Sequence, residues 1–147
     1  MYTIRKKFRF EAAHRLMTSY SQKCQKVHGH SYVAEVFLQS EQLNEDGMVI
    51  DFGKLKNKLA EVFDKFDHFV VLCAKDSFAI HMQNEEFAGM IDFGLIMVDW
   101  NPTAENMAKY FYDEICTILY ANEDMRDAQL VKVRIHETET GWAEYGE

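Results

Sequence analysis

Two histidines flank a single glycine at His28-Gly29-His30, immediately ahead of an alternating apolar segment. Residues two apart in a strand project to the same face, so both imidazoles can reach one metal ion. Parity places them on the even face with Tyr32, Ala34 and Val36, towards the apolar side. Extending the first alternating segment past Phe10 keeps Ala12 and His14 on its apolar parity, and a hairpin between the two segments would set His14 beside the pair. Three neutral imidazoles in a partly dry site match an open catalytic zinc centre, with three protein ligands and one exchangeable position. A competing pattern, His28-x-His30-x4-Glu35, superficially fits a cupin-type dioxygenase site, but Glu35 has odd parity and would face away from both histidines.

Further candidates surround this core. Cys24 lies in a polar loop with Lys23 and Lys26 close by. Neighbouring ammonium groups and a nearby divalent metal both favour the thiolate, which suits a general base or nucleophile. A spectator thiol and a direct zinc ligand are the other readings of the same residue. Cys73, in an apolar run, and Cys116, on a helical segment, read as packing residues. Asp67-His68 forms an acid/base unit only if a tertiary contact orients it. Glu137 shares parity with Val131, Val133 and Ile135, so an apolar face ends on a carboxylate. Such a group suits an NH–C–NH2 edge, as in a guanine-like or pterin ring, through two charge-assisted hydrogen bonds; a solvated strand end is the plainer alternative.

The elements that must position these residues follow from periodicity. Tyr2, Ile4, Phe8 and Phe10 alternate with Arg5, Lys7 and Arg9, the pattern of a half-buried strand, with Lys6 the one break. Tyr32 to Leu38 gives a second strand. Asp51 is a candidate cap for a helix whose stripe is Leu55, Leu59, Val62, Phe63 and Phe66. Thr103 can cap a second helix burying Met107, Phe111, Ile115, Ile118 and Leu119. Val131, Val133 and Ile135 mark a third strand, and Thr138 to Tyr145 a fourth. Between Phe69 and Val98, short apolar runs read as an extra hairpin or a long loop. Strands at both ends with helices between them predict an α+β fold with a mainly antiparallel four-stranded sheet.

The 147 residues, 48% hydrophobic and 14% aromatic, predict one domain over residues 1–147 with an ordinary core. A net charge of −8 argues against nucleic acid or anionic membranes as partners and leaves a small molecule. Apolar runs such as Phe69 to Ala74 fall far short of the roughly 20 residues of a membrane-spanning helix. The opening segment alternates basic and apolar residues, unlike a secretory signal, and three widely spaced cysteines suit a reducing compartment, so a cytoplasmic location is expected.

Taken together, FEAAHRL (Phe10 to Leu16), CQKVHGHS (Cys24 to Ser31), VIDFGKLK (Val49 to Lys56), FDH (Phe66 to His68), NPTAENMA (Asn101 to Ala108) and HET (His136 to Thr138) resemble the 6-pyruvoyltetrahydropterin synthase family, in order and over nearly the whole chain. The resemblance implies a T-fold, or tunnelling fold, with two helices on one face of the sheet. Three subunits close a barrel, two trimers stack into a hexamer, and active sites lie between subunits. It implies His14, His28 and His30 as zinc ligands, Cys24 as the catalytic thiol, Asp67 and His68 as its acid/base partners, and Glu137 as the pterin anchor. Thr103 and Glu105 would lie near the pterin pocket. The Cys-x3-His-Gly-His spacing looks like the 6-carboxytetrahydropterin synthases of the queuosine pathway. Two departures from the family pattern are Phe66, where leucine is common, and a longer segment between Asp67-His68 and the PTAEN motif.

On that resemblance the substrate is 7,8-dihydroneopterin triphosphate, bound to zinc through its side-chain oxygens, with Lys23, Lys26 and Arg15 the local cations for the triphosphate. The products are 6-carboxy-5,6,7,8-tetrahydropterin, triphosphate and acetaldehyde. The alternatives are the pyruvoyl branch, which eliminates triphosphate only, and a non-catalytic zinc- and pterin-binding module.

Overall fold

A computed structural model describes residues 1–84, 92 and 94–147. Period-2 alternation at the amino-terminal end gives β1 (Tyr2–His14) and β2 (His28–Ser40). They pair antiparallel from Tyr2 opposite Ser40 to His14 opposite His28, so the hairpin register sets His14 against the His-Gly-His motif. Next come α1 (Phe52–Asp64), β3 (Phe69–Cys73), the short α2 (Ser77–Met82), β4 (Leu95–Val98), α3 (Ala104–Ala121), β5 (Gln129–His136) and β6 (Trp142–Gly146).

Among the described residues the sheet has six strands in the order β4-β3-β1-β2-β5-β6. The four antiparallel strands expected from sequence are present as β1-β2-β5-β6. The strand count and the purely antiparallel character need correction, because β3 runs parallel to the end of β1 and β4 runs parallel to β3. Their runs, Phe69–Cys73 and Leu95–Val98, carry no alternation, as befits short apolar strands in a parallel pairing. The last strand is also shorter than expected: residues 137–141 form a turn, with the Glu137 amide donating to the Gly141 carbonyl, and only Trp142–Gly146 is extended.

Both long helices cover the even face of the sheet. Asp51 and Thr103 cap them, their side chains accepting from the Lys54 and Asn106 amides. Leu55, Leu59, Val62 and Phe63 of α1 and Met107, Phe111 and Ile115 of α3 share one core with Phe8, Phe10, Tyr32, Val36 and Leu38. Phe10 stacks on Tyr32 at 4.9 Å and meets Phe111 edge-on at 5.6 Å. Each such fully buried ring contributes about 2 to 3 kcal/mol relative to exposure. Lys6, the break in β1 parity, lies with its ammonium 5.7 Å from the Phe52 ring at the start of α1, its aliphatic stem serving the even face while its charge stays at the edge.

Candidate metal centre and active site

The last register pairs of the β1–β2 hairpin carry three imidazoles onto the core side of the sheet, beyond Tyr32 and Ala12. Ligand atoms of His14, His28 and His30 all lie within 4.8 Å of one another. The ring centroids are 4.5 Å apart for His14 and His28, 5.1 Å for His14 and His30, and 5.0 Å for His28 and His30.

Backbone carbonyls decide which nitrogens face inward. His14 Nδ1 donates to the Pro102 carbonyl at 2.6 Å, and His28 Nδ1 donates to the Lys26 carbonyl at 2.7 Å. Each bond fixes the tautomer and leaves Nε2 with a free lone pair. These two Nε2 atoms face each other at 3.1 Å with no proton to share between neutral rings. Facing lone pairs repel, and a cation between them converts the repulsion into ligation. Two nitrogens of a tetrahedral zinc site are about 3.3 Å apart when each Zn–N bond is about 2.05 Å, so the spacing fits the ion. Burial also favours the neutral form of the His14 and His30 rings, as ligation requires. Burial is the largest influence on His14 and brings its pKa down to about 4, with the Pro102 bond opposing it and the charges of His28 and His30 adding to it. His30 is lowered by burial and then by His28.

Glu137 enters at the rim, its Oε1 3.8 Å from His14 Nε2. Partial burial raises its pKa, and the charge of Glu105, on the first turn of α3, raises it further, while His28 pulls it down. Thr103 spends its hydroxyl on capping α3. Cys24 is half-buried on the loop between β1 and β2, where its carbonyl accepts from the Leu16 amide at 3.0 Å; its sulfur lies outside the three-imidazole cluster.

Asp67 and His68 stand apart from that cluster, at the start of β3. Asp67 Oδ1 accepts from the Glu11 amide at 2.7 Å, and its Oδ2 takes the His68 Nδ1 proton at 2.8 Å. The Glu11 amide, then the His68 hydrogen bond, hold the Asp67 carboxyl below its usual range. His68 adopts a left-handed backbone, φ 65°, which costs a side-chain-bearing residue on the order of 1 kcal/mol. A 2.6 Å bond from its amide to the Glu11 carbonyl maintains it. The ring is 79% exposed and borders a hollow of about 350 Å³ with Glu11, Gly29, His30 and Ser31, on the face opposite α1 and α3.

A model of the family described as 6-pyruvoyl tetrahydropterin synthase matches residues 3–147. The chain belongs to that family. It is 36% identical to the 6-carboxy-5,6,7,8-tetrahydropterin synthase of Aquifex aeolicus, over 98% of this chain and 97% of that protein. Among solved structures, an uncharacterized protein from Wolinella succinogenes matches with a TM-score of 0.84 at 20% identity, covering 99% of this chain and 97% of that one, which shows a shared fold. The 6-pyruvoyl tetrahydropterin synthase of Caenorhabditis elegans matches with a TM-score of 0.67 at 27% identity, covering 99% and 95%.

Within this family member, several residues that matter to the site escaped the sequence analysis. Pro102 acts through its carbonyl, which no side-chain pattern reveals. Asn101 fixes the same turn, its Oδ1 accepting from the Met17 amide at 3.2 Å and its carbonyl from Asn106 Nδ2 at 2.9 Å. The PTAEN motif thus holds the His14 ring in place as well as starting α3. Arg15 donates to Asp76 and to the Gln25 carbonyl, so its guanidinium is engaged within the chain. Glu35 pairs with Arg5 and His136 on the far face, which removes the dioxygenase pattern.

Proposed function

We propose that this chain is a zinc-dependent 6-carboxy-5,6,7,8-tetrahydropterin synthase. It converts 7,8-dihydroneopterin triphosphate to 6-carboxy-5,6,7,8-tetrahydropterin with release of triphosphate and acetaldehyde. The observation that carries the reading is the pair of inward Nε2 atoms at 3.1 Å, tautomer-locked by Pro102 and Lys26, in a chain of this family. His14, His28 and His30 hold the zinc. When bound, the ion supplies Lewis acidity towards the oxygens of the substrate side chain.

The protein's own groups do the rest. Glu137, at the rim of the imidazoles, grips the pterin ring edge, with Thr103 and Glu105 bordering the same pocket. Cys24 as thiolate removes and returns protons. Asp67 orients His68, which shuttles a second proton. The exposure of His68 on the face opposite α1 and α3 supports an assembly in which the pair serves a site completed by a neighbouring subunit, in a trimeric barrel or its stacked hexamer. Three free cysteines suit a reducing compartment, in keeping with a cytoplasmic enzyme acting on a small molecule; among the described residues no helix is long and apolar enough to cross a membrane.

A second reading, triphosphate elimination alone, draws on the family description and on the name of the Caenorhabditis elegans protein. Incubation of the purified protein with dihydroneopterin triphosphate separates the two. Triphosphate and acetaldehyde released in equal amounts are expected; triphosphate alone supports the second reading, and release of neither removes both. Cys24→Ala is expected to keep its zinc and lose turnover, and unchanged turnover would remove the thiol from the chemistry.

A further inference from the structure

Three consecutive carbonyls on the loop between β1 and β2 are tied down, each by a different group. The Cys24 carbonyl accepts from the Leu16 amide at 3.0 Å, the Gln25 carbonyl from Arg15 Nη1 at 2.7 Å, and the Lys26 carbonyl from His28 Nδ1 at 2.7 Å. The middle tie is charge-assisted and the strongest of the three by type. It works only while Arg15 is aimed at the loop, and what aims it comes from a distant part of the chain. Arg15 Nε donates to Asp76 Oδ2 at 2.6 Å, and the Arg15 guanidinium packs against the Phe78 ring at 5.4 Å.

Asp76 is well placed for this task. Its carboxylate is 2% exposed, its Oδ1 accepts the Phe78 amide at 2.9 Å as the cap of α2, and its own amide donates to the Cys73 carbonyl at 2.9 Å at the end of β3. The carboxylate is thereby fixed between β3 and α2 before it meets Arg15. Arg15 follows directly on His14, so the guanidinium joins three things: the metal-site strand, the thiol loop and the segment after β3.

We infer that Asp76 is a positioning residue for catalysis: through Arg15 and the Gln25 carbonyl, the segment after β3 sets where the Cys24 loop stands relative to the imidazole cluster. This rests on the roles proposed above for Cys24 and the metal site. It also gives the part of the longer segment that follows β3 a task, that of bracing the catalytic loop through Asp76.

Asp76→Asn tests it, because asparagine keeps the size and the helix cap and removes the charge that holds Arg15. Turnover is followed together with the alkylation rates of Cys24 and Cys73, read by mass spectrometry on their separate peptides. The expected result is a fall in kcat of roughly 10- to 100-fold with KM changed less than about threefold, as for a misplaced group that still binds substrate. Cys24 alkylation rises severalfold while Cys73, buried in β3, stays as slow as in the wild type, which distinguishes a released loop from a loosened fold. Zinc content is unchanged. Equal kcat and equal Cys24 alkylation in Asp76→Asn overturn the inference, as does a parallel rise at Cys73. If Cys24→Ala itself keeps full turnover, the catalytic role of the thiol falls, and the alkylation pair still decides whether Asp76 positions the loop.

Discussion

The two faces of the sheet treat buried polar groups in opposite ways. On the face opposite α1 and α3, Glu35 is 4% exposed, and donors surround it: Arg5 Nη1 at 2.8 Å, His136 Nε2 at 3.0 Å, Lys7 Nζ at 3.4 Å and Arg134 Nη1 at 3.6 Å. Arg134 is itself held by Glu144 at 2.8 Å and lies 4.0 Å over the Trp142 ring. Every acceptor there meets a donor, and the cluster is complete as it stands. At the end of the helix-covered face, His14 and His28 have each spent their only proton on a carbonyl and turn acceptor towards acceptor. A satisfied network describes a structural element, whereas a set of converging lone pairs describes a place for a cation. Both clusters draw ionisable residues from β1 and β2, the Glu35 cluster adding Arg134 and His136 of β5, so residue type alone does not separate them; the direction of each proton does.

The sharpest way to break the contrast is His28→Ala, which deletes one of the two facing nitrogens. Zinc content, measured by elemental analysis after gel filtration, is expected to fall from about one per chain to a small fraction, and turnover by on the order of 10³-fold or more. Stability supplies an independent reading. Zinc at a hundred times its Kd stabilises the wild type by about 2.7 kcal/mol, and that increment vanishes in the variant. Without metal, the variant is expected to be at least as stable as the metal-free wild type, since the facing lone pairs are gone. A large loss of stability in the metal-free variant would mean that His28 is a core residue held by its neighbours.

Glu35→Gln makes the converse change on the other face, and its effect is confined to stability. Arg5 and Lys7 remain about half exposed and recover water, so the expected loss is about 2 kcal/mol, below that of a fully buried pair. The pH dependence carries the sign. Burial by itself raises the Glu35 pKa, but hydrogen bonds from His136 and Lys7 and the charge of Arg5 outweigh it and leave the folded value below the ordinary 4.5. A depressed folded pKa gives stability that is fully present above 4.5 and is lost as pH falls through the folded value. Urea midpoints of the wild type and Glu35→Gln are therefore expected to differ most at pH 6 and to converge towards pH 3, with zinc affinity equal in the two proteins. A fall in zinc affinity would show that the two faces are coupled.

How far the sequence announced this contrast depends on the kind of interaction. Parity along β1 and β2 was enough to place His14 beside His28 and His30 and to turn Glu35 away, because alternation is a local property that survives folding. Helix caps at Asp51 and Thr103 were legible for the same reason. The parallel pair β3 and β4 was not, since Phe69–Cys73 and Leu95–Val98 are uniformly apolar and their partners are distant in sequence. Nor were the Pro102 carbonyl at His14 and the Asp76 carboxylate at Arg15, which join residues 88 and 61 positions apart. The parity-based turn of Glu137 towards the apolar side was readable, but its 3.8 Å approach to His14 depends on the turn at residues 137–141, which the sequence had suggested was extended.

The smallest expected effect belongs to Tyr32→Phe, and it tests what locks the His14 tautomer. The Tyr32 hydroxyl lies 3.3 Å from His14 Nδ1, the nitrogen whose proton Pro102 accepts at 2.6 Å. Burial, and then the charge of Glu137, raise the Tyr32 pKa, so the hydroxyl stays neutral throughout the working range. Two acceptors near one proton divide it according to distance, and the bond to Pro102 is shorter by enough to hold it. Removing the hydroxyl should therefore leave zinc affinity within about threefold and cost no more than about 1 kcal/mol of stability. If the backbone carbonyl were the minor partner, the same substitution would free the ring to exchange tautomers, and zinc affinity would fall by the 10- to 100-fold typical of a lost outer-shell bond. A zinc titration of Tyr32→Phe against the wild type, read with a competing chelator, decides between a site oriented by the main chain and one oriented by a side chain.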